Sequence, residues 1–234
     1  MQEVEGEPQA RPLTLEVPGQ EPLAALLHLP RAARALYLLA PGAGAGMAHP
    51  FLRRMAQGLA ARGVGVLLYQ FPYMQRRSRR PDPAPLCHAT VRSAVAAARQ
   101  AAPGLPLIAG GKSFGGRMSS QAQAQAALPG VVGLAFLGFP LHPAGSPGTE
   151  RAQHLSRVSV PMLFLQGTRD ELAERALLQP VVQDLGAQAR LAWLQHADHA
   201  FRAPARSGRR DEDIERELLD VLAAWIAEQC ARDG

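Results

Sequence analysis

The 234-residue chain has little cysteine, few aromatic residues and almost no lysine, and each shortage excludes something. Its two cysteines, Cys87 and Cys230, lack the paired spacing of a metal site or a disulfide framework, so they read as structural thiols of a reducing compartment. Aromatic residues make up 5%, too few for the stacking platforms that single-stranded nucleic acids need. The formal charge of +5 comes from arginines scattered along the chain, with one cluster at residues 76–80, RRSRR, so no nucleic-acid partner is expected. No apolar run reaches the length of a membrane-spanning helix. The start, MQEVEGEPQARP, has no apolar core of the kind a secretory signal carries; residues 1–12 are expected to be a flexible N-terminus of a cytoplasmic protein. Of the 25 lysines and arginines a single one is lysine, Lys112, and because the two cations are not interchangeable a lysine retained against that bias is informative.

What is present points to a packed core. Apolar residues make up 47% and charged residues 19%, and the length suits one compact domain over residues 13–234. Short apolar runs bounded by glycine and proline alternate with helical stretches, the pattern of βαβ units around a mostly parallel sheet flanked by helices. Residues 13–17 and 23–29 flank the turn-forming PGQEP and read as an antiparallel hairpin. Strands are then expected at 35–40, 64–69, 105–110, 131–139, 161–166 and 189–194, and helices at 50–62, 86–102, 117–127 and 211–231. In the last of these Ile214, Leu218, Leu219, Leu222, Trp225 and Ile226 share one face. Residues 71–85 read as a basic, proline-rich loop, and no internal repeat is visible.

The stretch GGKSFGGR, residues 110–117, admits two chemistries. Its GKS resembles the tail of a phosphate-binding loop, but that motif needs a glycine five positions before the GK glycine, where this chain has Pro106 inside an apolar strand. The strand leaves no loop long enough to wrap a phosphate. Gly111-x-Ser113-x-Gly115 instead meets the demands of a nucleophile elbow: strand, sharp turn at the serine, then helix, with glycines where neighbours crowd the turn.

Such a serine needs a base and an orienting acid, which follow it in the order Ser, Asp or Glu, His at the ends of later strands. Asp170 ends the run FLQGTRD; Glu171 and Glu174 are rivals whose simpler place is the solvated first turn of a following helix. His199 lies in the loop QHADH, further from its strand than His196, and is the better placed to swing back over Ser113. The oxyanion donors are expected at Phe114 N–H, after the nucleophile, and Ala43 N–H in the loop PGAGAG after an earlier strand.

With these parts in register the chain resembles the α/β-hydrolase superfamily. The likeness is to its dienelactone-hydrolase-like branch, which holds uncharacterised bacterial hydrolases, a testis-expressed animal relative and a subunit of the non-specific lethal chromatin complex. It is carried by GGKSFGGR, by FPYMQRR with RRPDP, by FLGFPLHPAG with RAQHL, by FLQGTRD and by ADHAF. The resemblance implies Ser113 as nucleophile, Asp170 as acid and His199 as base; acyl transfer through such a triad needs no metal or organic cofactor, and none is expected. One departure is Pro41, where the family usually has histidine before the loop glycine.

The expected activity is hydrolysis of a small soluble ester or thioester, with the short segment 141–160 leaving room for a minimal cap. The alternative is a hydrolase fold kept as an interaction module, since fold alone does not establish catalysis. Tyr73, Met74, Phe139 and His142 follow strand ends and are expected to line the substrate pocket. Arg76, Arg77, Arg79 and Arg80 either steer an anionic substrate or are merely solvated, and Lys112 either supports the elbow or adds positive potential.

Overall fold

Six consecutive buried positions in ALYLLA and six more in VGVLLY are what strands covered on both faces require. The computed structural model describes residues 10–231. Its strands are β1 (Arg11–Leu15), β2 (Leu23–His28), β3 (Ala35–Ala40), β4 (Val64–Tyr69), β5 (Leu107–Lys112), β6 (Val131–Leu137), β7 (Met162–Gly167) and β8 (Ala189–Leu194). The helices are α1 (Pro50–Ala60), α2 (Pro72–Gln75), α3 (Ala84–Ala101), α4 (Phe114–Gln125), α5 (Arg175–Asp184) and α6 (Asp211–Cys230). The strands form one sheet in the order β1-β2-β4-β3-β5-β6-β7-β8. The pairs β1–β2 and β2–β4 are antiparallel, as a hairpin feeding the sheet must be, and all others are parallel.

Two apolar layers cover the sheet. On one face Phe51, Leu52, Met55 and Leu59 of α1 pack with Ile214, Leu218, Leu222, Trp225 and Ile226 of α6. On the other, Val91, Ala94, Val95 and Ala98 of α3, Met118 and Ala122 of α4, and Leu178 and Val182 of α5 close the second layer. Small residues let α4 lie close against β5: buried Ser119 Oγ sits 3.1 Å from the Gly110 carbonyl and 2.9 Å from that of Gly115. Cys87 is buried, and burial with the nearby Asp82 carboxylate pushes its thiol up to about 12, which makes it an inert packing group.

Three expectations need correction. The strand expected at 105–110 runs two residues further, to Lys112, because Gly110 and Gly111 pair with β3 and β6 rather than turning. Within the expected loop at 71–85, α2 forms one turn and α3 starts at Ala84. Of the residues taken as a flexible start, 1–9 lie outside the described residues, while Arg11 and Pro12 belong to β1.

The order of the strands also fixes where a ligand belongs. The chain leaves β3 toward β4 on one side and then crosses to β5 on the other, so the direction of winding reverses between β3 and β5. At such a switch point the loops at the carboxyl ends of the two strands diverge and leave a crevice. The loop after β3 and the turn after β5 both open there.

Candidate active site

Ser113 stands between β5 and α4 with φ 50° and ψ −114°, a conformation that side chains other than glycine rarely adopt. The two glycines around it are sterically required. A Cβ at Gly111 would lie 2.2 Å from the Ala40 carbonyl oxygen, and one at Gly115 would lie 2.6 Å from both Ala40 Cβ and the Pro41 oxygen. Strain at the serine is thus held by close packing of the elbow on β3 and its loop.

Three side chains far apart in the sequence meet here. Ser113 Oγ is 2.9 Å from His199 Nε2, and His199 Nδ1 is 2.7 Å from Asp170 Oδ2. A carboxylate at Nδ1 selects the tautomer in which Nδ1 donates and Nε2 accepts the serine proton. Asp170 is held in turn: its Oδ2 accepts from Gln166 Nε2 at 2.5 Å and its Oδ1 from Leu172 N at 2.8 Å, and its side chain is fully buried. Gln166, fully buried on β7, also accepts from Phe139 N at 2.9 Å. Sequence reasoning missed it, although a polar residue inside the apolar run MLFLQG is itself a signal, since a buried amide must find partners.

The rivals are elsewhere. His196 is exposed with φ 65°, and its N–H is tied to Thr168 Oγ1 at 2.8 Å. Glu171 and Glu174 are exposed ahead of α5.

A cavity of about 790 Å³ opens over Ser113 and His199. Its walls are Gly42, Ala43 and Ala45 after β3, residues 49–52 and Arg54 at the start of α1, Leu172, the loop 199–202, and Asp211, Glu212 and Glu215 at the start of α6. Arg54 is paired with Glu215 through two bonds of 2.8 and 2.6 Å, and Asp211 accepts from Ala203 N at 3.0 Å, so the rim carries charges of both signs. Ala43 is exposed on this wall, and Phe114 is the first residue of α4, where backbone N–H groups have no helical partner.

The four residues expected to line the pocket do not line this cavity. Tyr73 is buried, with its ring edge-on to Phe114 at 6.4 Å, and Met74 packs on the same core. Phe139 is buried between Phe136 and Phe164, at 5.3 and 5.7 Å. His142 is buried, with Nε2 accepting from Glu174 N at 3.3 Å. Tyr73, Met74 and Phe139 belong to the α3–α4 side of the strand ends, whereas the cavity lies on the α1–α6 side, and His142 is tied behind the Leu172 wall by its N–H to the Leu172 carbonyl at 3.0 Å. The basic loop is likewise removed from it: Arg76 pairs with the buried Asp82 at 2.5 Å, and Arg77, Arg79 and Arg80 are exposed and absent from the cavity wall.

Lys112, at the end of β5, points into the site rather than to bulk water. Its Nζ donates to the His199 carbonyl at 2.7 Å and sits 5.1 Å from the Phe201 ring centre. Burial pushes its ammonium down to about 8, against the opposing pull of the Asp170 and Asp198 carboxylates.

Comparison with known proteins agrees with this architecture. Residues 33–227 match the sequence model of a family described as "Alpha/beta hydrolase domain". The fold is similar to that of a dienelactone hydrolase from Anabaena variabilis ATCC 29413, with TM-score 0.75 and 20% identity over 95% of this chain and 99% of that one. It is also similar to an α/β serine hydrolase without lid from Xanthomonas campestris, with TM-score 0.72 and 22% identity over 93% and 95% of the two chains. A serine hydrolase homologue from Coxiella burnetii gives TM-score 0.72 and 16% identity over 92% and 96%. At such identities the likeness is one of fold. The family match, spanning most of the chain, makes this protein a member of the α/β-hydrolase family, with a dienelactone-hydrolase-like fold and no long cap.

Proposed function

We propose that the protein is a serine hydrolase that cleaves a carboxylic ester or thioester of a small substrate through an acyl-enzyme on Ser113. The observation that carries this reading is the continuous chain Ser113 Oγ, His199 Nε2, His199 Nδ1, Asp170 Oδ2, with links of 2.9 and 2.7 Å. In the first step Oγ attacks the carbonyl carbon while His199 takes its proton, and Asp170 stabilises the imidazolium that forms. Negative charge on the carbonyl oxygen is received by the N–H groups of Phe114 and Ala43, the former at the positive end of α4. His199 then hands its proton to the leaving alcohol or thiol, and a water activated by the same imidazole releases the acid.

The cavity supports a substrate class. Pro50, Phe51, Leu52, Leu172 and Phe201 give it apolar walls, and its volume accommodates a small acyl or alkoxy group. We place the site of action in the cytoplasm, a reading supported by the cysteine-poor sequence; no described helix is long and apolar enough to cross a membrane. A series of p-nitrophenyl esters of graded acyl length tests the proposal. Hydrolysis well above background, with a preference among short and medium chains, is the expected result; background rates across the series would contradict it and favour an interaction role for the fold.

A further inference from the structure

The loop that carries His199 is built as a closed turn. Asp198 Oδ1 accepts from the N–H groups of Ala200 and Arg202 at 2.8 and 2.9 Å, and Asp198 N donates to the Arg202 carbonyl at 2.9 Å. Phe201, at φ 61°, stacks on Phe51 with ring centres 5.6 Å apart. These contacts shape the loop but do not tie it to the strand that carries the nucleophile. Lys112 does that. It precedes Ser113 in the chain, its stem lies 3.5 Å from where a Gly42 Cβ would stand, and its ammonium reaches the carbonyl of His199 itself. Gly138, at φ 71°, leaves the space in which the two meet: a Cβ there would lie 3.1 Å from Lys112 Nζ and 3.5 Å from the imidazole.

We infer that Lys112 is the positioning residue for the base, clamping the His199 backbone so that its imidazole stays on Ser113 while Asp170 holds its far nitrogen. The inference rests on the proposed hydrolase reading and assigns the clamp to an amine for a physical reason. A side chain on β5 must span from beneath the elbow to the loop after β8 and end in a donor, and four methylenes with a compact ammonium meet that need. The charged groups that face it are Asp170, Asp198 and the imidazole of His199.

Lys112→Met keeps the unbranched apolar stem, one atom shorter, and removes the donor. We expect kcat on p-nitrophenyl acetate to fall on the order of ten- to a hundredfold, since small misplacement of a catalytic group has that effect, with KM changed by less than about twofold. Melting temperature separates this from a folding defect. Folding carries the ammonium from an unfolded value near 10.5 to about 8, so below about pH 8 the charge is present in both states and its burial opposes folding. Between about 8 and 10.5 the unfolded chain binds the extra proton, and stability rises with pH. Removing the ammonium lifts that penalty and leaves the His199 carbonyl without its donor, two effects of opposite sign, so the methionine variant should stay folded at pH 7, and its stability relative to the parent should fall as pH rises above 8. Lys112→Cys treated with 2-bromoethylamine, which rebuilds an amine of lysine length, should recover most of kcat, while the same treatment leaves Lys112→Met slow.

A readout independent of turnover completes the test. The downfield Nδ1 proton of His199 should be visible by NMR in the parent and broadened or lost in Lys112→Met. A variant with unchanged kcat and an unchanged imidazole proton would overturn the inference. A parent that fails to hydrolyse esters but loses the imidazole proton on substitution would keep the clamp and overturn the hydrolase reading instead.

Discussion

The two flanks of the sheet's carboxyl edge are built from similar residues and end up with opposite uses. On the α3–α4 flank, Phe71, Tyr73, Phe114, Phe136 and Phe139 fill the space with edge-to-face contacts of 5.3–6.4 Å. On the α1–α6 flank, Phe51 and Phe201 stack on each other and stop short, leaving the cavity above Ser113. One flank supplies rigidity and the other supplies room. The lesson is that standing after a strand end places a residue near the active edge but does not say on which side of it.

Substitutions on the two flanks should have different consequences, and the largest effect belongs at the point where the reacting chain is assembled. Asp170→Asn presents an amide to the donors of His199 and Gln166, and should lower kcat on the order of 10³- to 10⁴-fold while costing about 1–3 kcal/mol of stability. Steady-state kinetics with calorimetry checks both halves of that statement. On the filled flank, Phe139→Ala should do the reverse, costing about 3–5 kcal/mol of stability by denaturant unfolding while KM stays within about twofold. Gln166 spans the two flanks, so Gln166→Leu should do some of each. An orphaned Phe139 N–H costs about 1–3 kcal/mol, and a loosened Asp170 lowers kcat as well.

Smaller effects sharpen the picture. Leu172→Ala removes a half-buried apolar wall of the cavity and should lower kcat/KM about tenfold for longer acyl chains, and less for acetate. Smallest of all is the basic loop. Arg77, Arg79 and Arg80 changed together to Gln should leave the salt dependence of a carboxylate-bearing ester like that of a neutral one, because none of them faces the cavity. A clear salt effect abolished by those changes would place the substrate's entry on the filled flank and reverse the comparison.

Much of this was legible in the sequence because it is local. β3, β4 and β8 could be bounded to the residue from continuous or half-buried apolar runs, and the elbow from its glycine spacing. Asp170 and His199 follow from strand ends and chain order, and the structure brings both to Ser113. What was not legible is what depends on convergence. Gly110 and Gly111 look like turn residues, yet they are the end of β5, where the backbones of β3 and β6 pass too close for a side chain. The cavity wall joins Phe51, Leu172, Phe201 and Glu215 from four separate segments, and no local pattern relates them. Lys112 was conspicuous by its rarity, but its partner is a backbone carbonyl 87 residues away, which no side-chain motif records.

If Ser113 is the nucleophile held by His199, a fluorophosphonate must label it, and intact-mass measurement reads the adduct. One adduct is expected on the parent protein, mapped to Ser113, and none on Ser113→Ala with its fold intact. An adduct of equal yield on the alanine variant, or a mapped site at any other residue, would contradict it.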